Sequence, residues 1–296
     1  IESKTDRENF LGSEIDASQE ERSQSISNLL INQIEFANII ILNKYDIILG
    51  KNENEKTENL NKIKSLIKKL NPSAKIIIPE NPRFSGFDIN QVLNTNLFDM
   101  EKAQSSAGWI KELQESSHVP ETEEYGISSF VFRENNRPFH PIRLRNILKG
   151  FGNLNMSFKK QKATHEYFTG VVRGKGNLWL ANADAMPCDI QIAGRVLNIQ
   201  PSVSAYMIKE MERFPKEQWE NLFDENVFNI IKLLRESNQW TDEFGDRGSM
   251  LVLIGININI KELETALKSA LLTDDEMKKG KNFWKTLEDP FSADNV

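Results

Sequence analysis

Asn38-Ile39-Ile40-Ile41-Leu42-Asn43-Lys44-Tyr45-Asp46 is the stretch on which the fold turns. Residues 38–42 are too short a run for a helix and are rich in β-branching, so they read as a buried parallel strand. Upstream, from Gln24 to Ala37, apolar residues recur at Ile26, Leu29, Leu30, Ile34 and Ala37, the spacing of one helix face. Downstream, the stripe Leu60, Ile63, Leu66, Ile67 and Leu70 predicts a second helix, which ends at Asn71-Pro72 and hands over to a strand from Ala74 to Ile78. A short helix is expected around Asn90 to Leu93. Helix, strand, helix, strand is the order of an α/β layer.

The tetrapeptide Asn43-Lys44-Tyr45-Asp46 follows the first strand, and ligands of open α/β sheets bind at the carboxyl ends of strands. A side chain that reads guanine must accept from the ring N1–H and the exocyclic amine together, which a carboxylate does with its two oxygens. Asp46 supplies that carboxylate. Asn43 can bond the carbonyl side of the base and brace the loop, and the stem of Lys44 can lie against the ring with its ammonium outside. A solvated Asn/Lys/Asp turn would be spelled the same way. Ser73-Ala74-Lys75 imitates a tripeptide that backs guanine in small GTPases, but it precedes its strand. The loop Pro79 to Asn81, after that strand, is the better-placed second wall.

Beyond residue 100 the chain turns polar, at Ser105-Ser106, Glu115-Ser116-Ser117 and Glu121 to Glu124. The expected organisation is a first domain over 1–100, a linker over 101–124 and a second domain over 125–296. In that second part Ile127 to Arg133 reads as a strand and Pro141 to Leu148 as a helix with proline in its first turn. Phe168 to Arg173 and Asn177 to Asn182 read as two strands around a Gly174-Lys175-Gly176 hairpin turn. Asp189 to Ile199 reads as one strand running through Gly194, and Met250 to Ile256 as another. A helix with the stripe Ile260, Leu263, Ala266, Leu267 and Ala270 follows, and Thr273-Asp274-Asp275-Glu276 spells a capping box for a last one. The pattern predicts an α+β domain, an antiparallel sheet with helices on one face.

The chain has 296 residues, 39% of them apolar, with 37 basic and 43 acidic residues and a net charge of −6. No Lys/Arg stripe suits a phosphate backbone, so no nucleic-acid partner is expected. Apolar runs stay far below the roughly 20 residues of a membrane helix, so no membrane partner is expected either. Cys188 is the only cysteine, which excludes an internal disulfide and points to a reducing cytoplasm. His118, His140, His165 and Cys188 lack the close spacing of a zinc site and read as structural. Gly174-Lys175-Gly176 is no phosphate loop, because Gly-x-x-x-x-Gly-Lys-Ser/Thr occurs nowhere in the chain.

Gln33 to Asp46 resembles the guanine-specificity segment of CobW-type GTPases, a family of cobalamin-synthesis proteins and zinc metallochaperones. Asp6 with Asn9-Phe10, Leu70 to Ile77 and Leu93 to Asp99 are similar to further motifs of its G domain. Pro120 to Phe132, Arg137 to Pro141, Arg173 to Ala181, Gly245-Asp246-Arg247, Leu271 to Asp274 and Asp289-Pro290-Phe291 resemble its C-terminal domain. The resemblance implies the second half of a P-loop G domain followed by that C-terminal domain, GTP and magnesium as ligands, and delivery of a metal, often zinc, to a client protein. In the family the phosphate loop, a Cys-x-Cys-Cys segment and the magnesium-side carboxylate lie upstream of the position of Asp6, and this sequence contains none of them. Ile1 stands where an initiator methionine would, and the start reads as a cut. Carried over residue by residue, the resemblance gives guanine contacts at Asn43, Lys44 and Asp46, and no catalytic residue or metal ligand. The 296-residue chain alone is therefore expected neither to hydrolyse GTP nor to hold zinc tightly. The competing expectation is a non-enzymatic module whose C-terminal sheet binds a client.

Overall fold

The computed structural model describes residues 26–48, 50–83, 86–99, 108–110, 124–149, 151–153 and 167–291. The chain divides into two compact units, one of Ile1–Phe130, Gly170–Arg173 and Leu253–Ile258, the other of Val131–Thr169, Gly174–Val252 and Asn259–Val296.

In the first unit α1 (Ile26–Phe36) leads into β1 (Ile39–Ile41), then α2 (Glu53–Leu70) and β2 (Lys75–Ile77). Ile39, Ile40 and Ile41 pair in parallel with Lys75, Ile76 and Ile77, which makes β1-α2-β2 a crossover unit as the isoleucine run implies. β1 is half-buried rather than buried, because among the described residues its sheet has only one other strand. The second helix begins well before its apolar stripe: the Asn52 side chain caps it by accepting from the Glu55 amide at 2.9 Å. Glu53 and Glu55 occupy its first turn and Lys68 and Lys69 its last, matching the helix dipole at both ends.

Asn71 ties this layer together. Its buried amide donates to the Ile34 and Ala37 carbonyls at 2.9 and 2.8 Å, and its oxygen accepts from Ser73 Oγ at 2.8 Å and the Ala74 amide at 3.1 Å. One side chain thus fixes the end of α1, the approach to β1 and the entry to β2. The expected helix around Asn90 is a single 3₁₀ turn, Ile89–Gln91, capped by Asp88.

The larger sheet contains β3 (Ile127–Glu134), β4 (Gly152–Asn153), β5 (Val171–Leu178), β6 (Cys188–Ala193), β7 (Val196–Pro201) and β8 (Ser249–Ile256), in the order β3-β8-β5-β6-β7-β4. β6 and β7 are antiparallel; the short edge strand β4 runs parallel to β7, a departure from a purely antiparallel sheet. Two sequence expectations fail here, both at glycines. Gly174-Lys175-Gly176 is no hairpin turn, because β5 runs straight through it. A Cβ on Gly176 would run into the Met250 carbonyl oxygen, so the glycine serves the close approach of β8. Gly194, read as lying inside a strand, is instead in the turn that splits β6 from β7, at φ 58°.

The helices of the second unit are α3 (Pro141–Ile147), α4 (Met207–Met211), α5 (Trp219–Leu222), α6 (Glu225–Glu236), α7 (Ile260–Ser269), α8 (Asp274–Lys278) and α9 (Gly280–Trp284). Their core centres on the fully buried Trp179, whose ring meets Phe244 at 5.1 Å and Trp284 at 6.3 Å between centroids. The capping box at α8 forms as its sequence predicts, Thr273 and Glu276 bonding reciprocally. Glu276 also holds Arg143 in a two-pronged pair at 2.9 and 2.6 Å.

The Arg143 hydrogen bonds hold the Glu276 carboxyl down at about 2, against an ordinary value of 4.5. Because the folded value is the lower one, the pair's stabilisation is fully present above pH 4.5 and is lost as pH falls from there toward 2. Glu276→Gln keeps the capping acceptor and removes the charge, so wild type and variant should differ in thermal midpoint near neutrality and converge in acid. A gap that stays constant with pH would refute this.

Candidate functional site

The tetrapeptide sits at the carboxyl end of β1. Lys44 adopts the left-handed conformation, φ 56° and ψ 32°, and turns the chain into a 3₁₀ turn over Tyr45–Ile47 that is closed by the Ile47 amide on the Lys44 carbonyl at 3.2 Å. Asn43 is half-buried, while Lys44 and Asp46 are exposed. All three sequence-predicted residues therefore share one loop.

A second loop faces them. The Tyr45 hydroxyl lies 3.1 Å from the Pro79 carbonyl oxygen and 2.8 Å from that of Glu80, and its single proton serves one of them at a time. The Glu80 amide donates to the Gly86 carbonyl at 3.2 Å, with Gly86 at φ 80°, so the loop after β2 curls back on itself. Pro79 to Asn81 is thus next to the tetrapeptide, where the strand order puts it. Arg83 was not anticipated: its Nη2 donates to Asp46 Oδ2 at 2.8 Å. The sequence carries one hint, since Arg83 is the only basic residue between Lys75 and Lys102. This hydrogen bond is the main reason that the Asp46 carboxyl lies below its ordinary value of 3.8, with the charges of Arg83 and Lys44 adding to it. The site therefore holds an ionised carboxylate at neutral pH, with Oδ2 engaged by Arg83.

Ser73-Ala74-Lys75 lies at the opposite end of β2, where the Ala74 amide is taken by Asn71. His140 precedes α3, donates its backbone amide to the Ala270 carbonyl at 2.9 Å, and keeps Nε2 4.0 Å from Glu276 Oε1. Burial, aided by the charges of Asp289 and Asp189, pushes the Cys188 thiol up to about 12, so it is neither a thiolate nor a ready metal ligand at neutral pH. His118 and His165 lie outside the described residues. Among the described residues no group of three or more His, Cys, Asp or Glu is placed to hold a metal ion, and no helix is long and apolar enough to cross a membrane.

Residues 5–78 match the family described as the CobW/HypB/UreG nucleotide-binding domain, and residues 127–271 match the cobalamin synthesis protein cobW C-terminal domain. The chain is 36% identical over 277 residues to zinc-regulated GTPase metalloprotein activator 1 of Dictyostelium discoideum, covering 93% of this chain and 50% of that protein. It is 27% identical over 158 residues to a Mycobacterium tuberculosis protein named as a zinc chaperone, covering 52% of this chain and 32% of that one. Among solved structures it aligns with the Zn(II)-bound YjiA GTPase of E. coli at 17% identity and a TM-score of 0.35, over 81% of this chain and 54% of that one. The chain thus spans half the length of the first of these relatives and about a third of the second. With the nucleotide-binding description matching its first part and the C-terminal description its second, in that order along the sequence, this chain belongs to the CobW family.

Proposed function

We propose that this chain supplies the guanine-reading part and the C-terminal domain of a GTP-dependent metallochaperone of the cytoplasm, one that delivers zinc to a client protein. The observation that carries the reading is the Asp46 carboxylate, ionised and presented at the carboxyl end of a parallel strand, with a second loop pinned beside it by Tyr45. In that role Asp46 accepts the N1–H and amine protons of guanine, Asn43 addresses the carbonyl side, and Lys44 covers the ring. Phosphate binding, magnesium and hydrolysis belong in this proposal to residues upstream of those matched here. Zinc and a client protein are proposed on the names of the relatives, one a zinc-regulated activator of metalloproteins and one a zinc chaperone.

The test is base choice in a protein that joins this chain to an upstream phosphate-binding loop. Asp46→Asn exchanges an acceptor for a group that can donate. Guanine then loses complementarity, while xanthine, with a carbonyl in place of the amine, gains it. GTP affinity should fall roughly ten- to a hundredfold while that for xanthosine triphosphate rises. A variant that keeps the preference for GTP in competition binding would exclude Asp46 as the reader.

A further inference from the structure

The Arg83–Asp46 pair raises a chemical question, because guanine and a guanidinium offer a carboxylate the same edge. Guanine presents H–N1–C2–N2–H; arginine presents H–N–C–N–H, planar in both cases and donor-only along that side. In this structure the Arg83 guanidinium donates to Asp46 Oδ2 at 2.8 Å, an oxygen that the guanine edge needs. The Arg83 side chain is 67% exposed, so no described residue encloses it in this position. Nor does the second loop need Arg83 to stay in place, because the Tyr45 hydroxyl donates to the Pro79 or the Glu80 carbonyl independently of it. Arg83 is free to swing into solvent while both walls remain.

We propose that Arg83 is a resident competitor for the base-reading carboxylate: its guanidinium takes the place of the guanine edge on Asp46 and must leave before a base is read. The proposal rests on Asp46 being the guanine reader. Competition within one molecule lowers the apparent affinity of every base that displaces the arginine, by a factor set by how well the arginine binds. For an exposed ion pair that factor is roughly two- to fivefold. Because both partners are charged, salt weakens the pair, while a neutral nucleoside binding to Asp46 has no such dependence of its own. The competitor therefore gives guanosine binding an unusual sign, tighter at higher ionic strength.

The experiment titrates the 296-residue chain with guanosine, an uncharged probe, and with adenosine as control, following loop resonances by NMR at low and high salt. Wild type is compared with Arg83→Ala, Arg83→Lys and Asp46→Ala. The expected results are guanosine affinity about two- to fivefold higher in Arg83→Ala, and salt-enhanced binding in wild type that disappears in Arg83→Ala. Arg83→Lys, which keeps the charge and loses the planar edge, should fall between them. Equal or weaker guanosine binding in Arg83→Ala, with Asp46→Ala still impaired, overturns the competitor and leaves the guanine reading standing. Equal binding by wild type and Asp46→Ala, or no guanosine binding by any of the proteins at millimolar nucleoside, overturns the guanine reading and the competitor with it.

Discussion

Replacing Arg247 by methionine is expected to lower the folding stability by about 3 kcal/mol, a large share of the 5–15 kcal/mol typical of a domain. Arg247 is fully buried. Its Nε lies 2.8 Å from Asp184 Oδ1, its Nη1 and Nη2 meet the Glu212 oxygens at 2.9 and 2.8 Å, and Nη2 reaches Asp184 Oδ2 at 3.0 Å. Burial alone would raise the Glu212 carboxyl, yet the hydrogen bonds from Arg247 and Lys281 outweigh it and hold the group at about 2. Methionine fills the volume and leaves the nearly buried Asp184 without its main counter-charge. Lys281, 2.7 Å from Glu212 and 3.6 Å from Asp184, compensates in part, which puts the expected loss at the low end for a broken buried pair. Urea unfolding followed by tryptophan fluorescence reads the change, since Trp179, Trp240 and Trp284 share the core of this unit. Adding Asp184→Asn and Glu212→Gln to the variant should restore part of the loss. A single-variant loss below about 1 kcal/mol would mean that the network is no more than a surface pair.

That network marks the limit of what the sequence discloses. Gly245-Asp246-Arg247 stands out as a motif, but nothing local says that Asp246 caps α4 through the Met207 and Ile208 amides, or that Arg247 meets Asp184. What is legible is what one element decides by itself. The isoleucine run gives β1, the stripe to Leu70 gives most of α2, and Thr273 to Glu276 gives a cap that forms as spelled. The loop proposed to read guanine is local in the same sense, since Asn43 and Lys44 lead directly into the turn that holds Asp46. Failures arise where one residue type serves two physical ends. A glycine pair can turn a chain or admit a neighbouring strand, and only the position of Met250 shows that Gly176 does the second. Arg83 escaped because its partner belongs to the preceding loop, a relation fixed by the parallel pairing of β1 with β2.

Arg173→Met is expected to be the most damaging single change in the first unit, at about 3–5 kcal/mol. Arg173 is 1% exposed and Glu35 is fully buried. The guanidinium grips Glu35 with Nε at 2.8 Å and Nη2 at 3.0 Å, and it reaches Asn28 and Asn32 at 3.0 Å each. Residues 28, 32 and 35 follow the spacing of one helix face, so a single side chain grasps α1 along its length. Removing it takes the guanidinium counter-charge from a fully buried carboxylate, whereas removing both charges removes that cost. Arg173→Met with Glu35→Leu should therefore recover most of the stability, because a buried pair exchanged for apolar residues is often neutral. The consequence extends to the proposed base site, since two residues separate the end of α1 from the strand that carries Asn43 to Asp46. Hydrogen exchange over residues 38–48 should accelerate in the single variant and return toward the wild-type rate in the double. If the double variant is as unstable as the single one, the loss comes from missing side-chain packing, and the buried charge is not its cause.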